Sequence, residues 1–265
     1  MPRRPAVNGT DPDWRRPLRS PHRLATAVGW LVALALIIAA SAGHAAHPPY
    51  IVAGITWPGG KAQFFLSDGT YVRYDIAADR ADPGYPRAID DGSWQGLGPY
   101  ARDITAACQG PKDKVYFFLA TGQYLRYDVR QDRVDPGYPK PINNVTWPGL
   151  EPYASQIMAA FNWKGGKIQF LLNDGQYIRY DVAADRVDDG YPKAITAGNW
   201  PGLAPYAGKI TGLINWVNDK AYVFLDTGEY LRYDINSDRM DASYPKTIDD
   251  TTWPGLGWLF PTFHR

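Results

Sequence analysis

One period governs this chain. The pairs Tyr74–Asp75, Tyr127–Asp128, Tyr180–Asp181 and Tyr233–Asp234 stand 53 residues apart. The Tyr-Pro pairs at Tyr85, Tyr138, Tyr191 and Tyr244 keep that step, and so do Trp94, Trp147, Trp200 and Trp253. A step that never slips by one residue means four copies of one supersecondary unit, joined by loops of constant length. Such a unit cannot bury its apolar face alone, so the copies must stack on one another.

The second copy shows what the unit is. ITAAC (Ile104 to Cys108) is a short apolar stretch, followed by the turn QGPKD. KVYFFL (Lys114 to Leu119) is a continuous apolar and aromatic run, the pattern of a strand covered on both faces. ATG turns the chain, and QYLRYDV returns as the second member of a hairpin. RQDRVDPGYP is rich in turn residues, and KPINNVTWPGLEPY has room for an edge strand and a short helical turn. No long amphipathic helix appears, which excludes helical solenoids. Three or four short strands per copy, growing more polar outward, fit the blades of a propeller. Four copies predict an all-β, four-bladed β-propeller with Ile51, Ile104, Ile157 and Ile210 on the innermost strands. The repeats run over approximately 50–101, 102–154, 155–207 and 208–260, within a propeller domain of 46–265.

The set DKVYFFL, YLRYD, VDPGYPKPI and WPGL resembles the hemopexin-like repeat, recurring four times in register. The resemblance implies a hemopexin-like propeller with a polar axial channel, and a non-enzymatic binding role. Two departures stand out. Related domains often close the ring with a disulfide, whereas Cys108 is the single cysteine here. The innermost strand of the family commonly begins Ile-Asp-Ala-Ala, and the second positions here are Val52, Thr105, Met158 and Thr211. An axial cation such as calcium or sodium would then rest on the main-chain carbonyls of those four residues. Haem, which the family name invites, is disfavoured, because His22, His44, His47 and His264 all lie outside the repeats. No cofactor is assigned with certainty.

Ahead of the propeller, residues 1–23 form a basic leader and 24–45 an uncharged apolar stretch. This single apolar helix reads as an export signal peptide or as a transmembrane anchor. Either puts the repeats outside the cytoplasm, since the Arg-rich flank stays inside. The first 45 residues carry a local charge of +4, which leaves about −3 for the remainder of a chain whose net charge is +1. That balance argues against a nucleic-acid partner.

Enzyme templates fail in turn. There is no HExxH, no G-x-S-x-G elbow and no phosphate-binding glycine loop. Cys108 reads as an apolar filler. The Asp-Arg-x-Asp runs starting at Asp79, Asp132, Asp185 and Asp238 read as Asp–Arg braces with Asx turns. One pattern resists a purely structural account. Lys61, Lys114, Lys167 and Lys220 are equivalent positions at the entry to the second strand. Four residues earlier stand Trp57, Trp163 and Trp216, with Gly110 in the second copy. A ring of cations beside aromatics on one propeller face predicts a protein or anionic-glycan partner. The sequence also leaves open a small-ligand, metal or haem carrier using the axial channel, and a structural envelope protein. It does not give the oligomeric state.

Overall fold

A computed structural model describes residues 48–260. The leader, the apolar segment, all four histidines and Phe263 lie outside the described residues. Among the described residues no helix is long and apolar enough to cross a membrane.

The 53-residue unit folds as one blade, and four blades form the propeller. The inner strands are Ile51–Trp57, Ile104–Gly110, Ile157–Trp163 and Ile210–Trp216, each opening on the predicted isoleucine. They pack against one another around the axis and pair with the second strands Lys61–Leu66, Lys114–Leu119, Lys167–Leu172 and Lys220–Leu225. These second strands are buried along nearly their whole length, because both faces meet neighbouring blades. Third strands Thr70–Asp75, Gln123–Asp128, Gln176–Asp181 and Glu229–Asp234 complete the hairpins.

The outermost strand of each blade is broken into two dipeptides. In the first blade Arg80–Ala81 and Arg87–Ala88 both pair with Thr70–Asp75, on either side of a cis Tyr85–Pro86 bond. The exposed half carries Arg87, Lys140, Lys193 or Lys246, each with its charge 4.8–5.1 Å from the ring centroid of the neighbouring tyrosine. Short edge strands, proline and exposed cations discourage pairing with another chain. These cations therefore have a structural reason to recur.

Main-chain bonds tie blade to blade. Val134, Val187 and Met240 each donate their N–H to the carbonyl of the residue immediately before Gly in the preceding connector: Gln95, Pro148 and Pro201, at 2.9–3.0 Å. Ala81 makes the same bond to Pro254 O at 2.9 Å, and this one closes the ring between the first and last blades. The adjoining glycines explain themselves. Gly149 and Gly202 have φ of +90° and +87°, and a Cβ there would come within 2.9 Å of Val187 and 2.6 Å of Met240.

The tail contributes one fully buried side chain. Leu259 is fully buried in the core shared by the fourth and first blades, while Trp258 is 39% exposed and Phe260 packs over Gly228 of the fourth blade. The closing residue is thus Leu259, and Trp258 is not part of the seam. Its indole instead donates to Gly255 O.

Candidate functional site

Each inner strand carries one extra residue. In the first blade Ile51 pairs with Leu66 and Ala53 with Phe65, so Val52 is the bulged position. Thr105, Met158 and Thr211 occupy the same place in their blades. A bulge frees backbone groups from the ladder and redirects the chain. All four residues line the mouth of the axial channel, a cavity of about 690 Å³ that also touches Tyr50, Asp226 and Phe260. Gly212 lets the first and fourth inner strands come close there: a Cβ on it would sit 2.6 Å from Ile51 O.

The opposite end of the channel is bound by amides. Gln109 N–H donates to Asn162 Oδ1, and Asn162 Nδ2 donates back to Gln109 O. Asn215 serves Asn162 in the same way, and Gln109 Nε2 reaches Thr56 O at 2.7 Å. These four positions are also 53 residues apart. The belt links the hairpin ends of the inner strands.

The lysines expected to form a ring of cations are paired within their own blades. Lys61 lies directly opposite Asp75 across the hairpin, and Nζ donates to Asp75 Oδ2 at 2.7 Å and to Asp82 at 3.1 Å. Lys114 bridges Asp128 and Asp135, Lys167 bridges Asp181 and Asp188, and Lys220 bridges Asp234 and Asp241. Arg73, Arg126, Arg179 and Arg232 close each network on the second aspartate. Two carboxylates thus meet each ammonium. The bond to Asp75 leads the upward shift of the Lys61 pKa, as the equivalent bonds do in the other blades. In return, hydrogen bonds from Lys167 and from the Ala184 and Ala183 N–H groups bring Asp181 down to about 2. The signal for this pairing lay in the sequence, since hairpins of constant length put Lys and the Tyr-Asp aspartate in register.

The tryptophans beside those lysines turn inward. At three blade junctions an inner-strand Trp meets a connector Trp: Trp57 with Trp94, Trp163 with Trp200, Trp216 with Trp253, at centroid distances of 5.0–5.5 Å. Each also meets a tyrosine of the following blade, Tyr127, Tyr233 or Tyr74, at 6.2–6.3 Å. The junction between blades two and three has the connector Trp147 and the tyrosine Tyr180, 5.0 Å apart, but Gly110 in place of the indole. A cavity of about 480 Å³ lies there, lined by Gly110, Tyr116, Trp147, Tyr180 and Val182 among others. Val182 is 40% exposed, whereas its equivalent Ile235, beside Trp163, is 5% exposed. This slot is the clearest departure from the fourfold plan.

Cys108 is buried, and burial pushes its thiol upward, so it offers no nucleophile. Among the described residues no group of three His, Cys, Asp or Glu gathers as a metal site.

Comparison with known proteins agrees with this geometry. The family profile described as Hemopexin matches residues 104–152. A hemopexin fold protein from cow pea superposes with a TM-score of 0.66 at 20% identity, covering 80% of this chain and 99% of that one. A plant lectin with two metal binding sites from Cicer arietinum gives a TM-score of 0.67 at 22% identity, over 80% of this chain and 99% of that one. At such identities the likeness is one of fold. Among curated relatives, macrophage metalloelastase of Rattus norvegicus is 33% identical over 54% of this chain and 28% of its own length. Matrix metalloproteinase-25 of Homo sapiens is 31% identical over 44% of this chain and 19% of its own length. The chain thus matches less than a third of the length of these relatives.

Proposed function

We propose that this four-bladed propeller of hemopexin-like fold is a non-catalytic binding module acting outside the cytoplasm. Its ligand enters at the hairpin end, at the junction of blades two and three. The observation that carries this reading is Gly110. Fold maintenance accounts for Trp57, Trp163 and Trp216, which complete three junctions, and it gives no reason to leave the fourth incomplete. Cavities of a few hundred Å³ with aromatic walls and a few polar groups are the usual form of a ligand site. The repeated charges do not compete for this role, because each is already spent inside its blade. The lysine face survives in the proposal only as the surroundings of the slot, where Lys167 and Arg126 form part of the lining.

The test is to incubate the purified propeller with culture fluid and envelope extract of its host, recover it, and identify what it carries. A specific ligand or protein should be retained by the wild type and lost from Gly110→Trp. Equal retention by that variant would overturn the placement.

A second reading, an axial cation, is favoured by the four bulges. They bring Val52, Thr105, Met158 and Thr211 to one channel mouth, and main-chain oxygens turned into it would suit calcium or sodium. When bound, the ion would bridge the inner strands electrostatically. Calcium titration should then release heat and raise the melting temperature; the absence of both effects would dispose of the ion.

A further inference from the structure

The slot at Gly110 has a shape that the molecule itself defines three times over. At the other junctions the same place, bounded by a connector Trp and a tyrosine of the next blade, holds an indole. We propose that the slot between blades two and three binds a small planar aromatic molecule, of one or two fused rings, where the missing indole would lie. This deepens the proposed function and rests on it.

Three observations converge. The walls are in place, with Trp147 and Tyr180 at the same mutual distance, 5.0 Å, as the matching pairs Trp94–Tyr127 at 5.1 Å and Trp200–Tyr233 at 5.2 Å. The junction has therefore not collapsed around the gap. Its apolar flank is uncovered, as Val182 shows against Ile235. Tyr116 stands 5.1 Å from Trp147 and leans over Gly110, so that a Cβ there would come 2.6 Å from its ring, and it lines the remaining cavity. The fourth blade shows that tyrosine and indole can coexist. There Tyr222, the equivalent of Tyr116, sits 5.5 Å from Trp216.

The chemistry selects for flat apolar rings. Edge-to-face contact with Trp147 and Tyr180 favours an aromatic over an aliphatic group of equal size. Polar side chains share the lining with these rings: Gln109 and Asn162 of the amide belt, Arg126, Lys167 and Asp185. A flat ring with a polar substituent fits that mixed lining better than a bulky saturated ligand.

The probe is indole, followed by backbone-amide NMR of the intact domain. Saturable shifts should centre on Gly110, Gly166 and Val182, while cyclohexanol at equal concentration should produce weaker ones. Gly110→Trp should weaken indole binding by about tenfold or more. Trp163→Gly should open a matching slot at the next junction and add a second indole site. That second variant keeps the proposal testable if the first does not fold. Absence of saturable shifts, identical shifts in Gly110→Trp, or no new site in a folded Trp163→Gly would overturn the aromatic assignment. A ligand recovered from host extracts by the wild type alone would then still uphold the broader reading, with a different ligand class.

Discussion

Asp181 illustrates how much a single residue contributes through its partners. Its carboxylate accepts from Lys167 Nζ at 2.6 Å and from the N–H groups of Ala183 and Ala184, which together hold its pKa near 2 rather than the ordinary 3.8. A folded-state pKa below the unfolded one means stability that is full above the unfolded value. It is lost as pH falls through the folded value. The stability gap between wild type and Asp181→Asn should therefore shrink between pH of about 3.8 and about 2. Urea midpoints across that range measure it, and a constant gap would show that the carboxylate charge is not what matters. The lysine has the opposite sign: its raised pKa keeps the pairing intact until pH rises beyond the ordinary 10.5.

At the scale of the element, connectors and seam carry the architecture. Gly202 combines φ of +87° with a next-blade side chain 2.6 Å from any added Cβ, whereas Gly175, at φ of +81°, has open space. The left-handed conformation alone costs about 1–2 kcal/mol for an L-residue. Gly175→Ala should lose roughly that much, and Gly202→Ala should lose more, because Met240 must also move. Equal losses in urea titrations would mean that connector and blade are not tightly apposed. At the seam, Leu259→Ala should cost about 2–5 kcal/mol as a buried truncation, while Trp258→Ala, at an exposed position, should change stability little. The reverse order would contradict the closure described here.

For the whole molecule, most of the fold was legible from the period and from runs such as KVYFFL. The strand Lys114–Leu119 has the bounds that its apolar run implied. The divided outer strand was not legible, since dipeptides such as Arg133–Val134 and Lys140–Pro141 are too short for any periodicity to register. The lysine networks were half legible. Asp75 can be paired with Lys61 from hairpin length, but Asp82 joins only after a turn whose path the sequence does not dictate. The slot required knowing which residues an inner-strand Trp covers. Trp57 packs with Tyr127 and Trp94, and Val129 joins the same core. Those contacts cross a blade boundary, so Gly110 in the sequence is only a missing aromatic. The fold shows it as an incomplete junction between otherwise equivalent blades.

The junction of blades two and three is open in a scaffold otherwise complete, and the melting temperature of Gly110→Trp reads this out. Burying an indole there adds on the order of 2–3 kcal/mol from area, reduced by the cost of moving Tyr116. For a domain of this size each kcal/mol gained raises the melting temperature by about 2–4 °C. The variant should melt several degrees above the wild type. A variant that melts at the wild-type temperature or below it would show that the junction is already packed, and would contradict the claim.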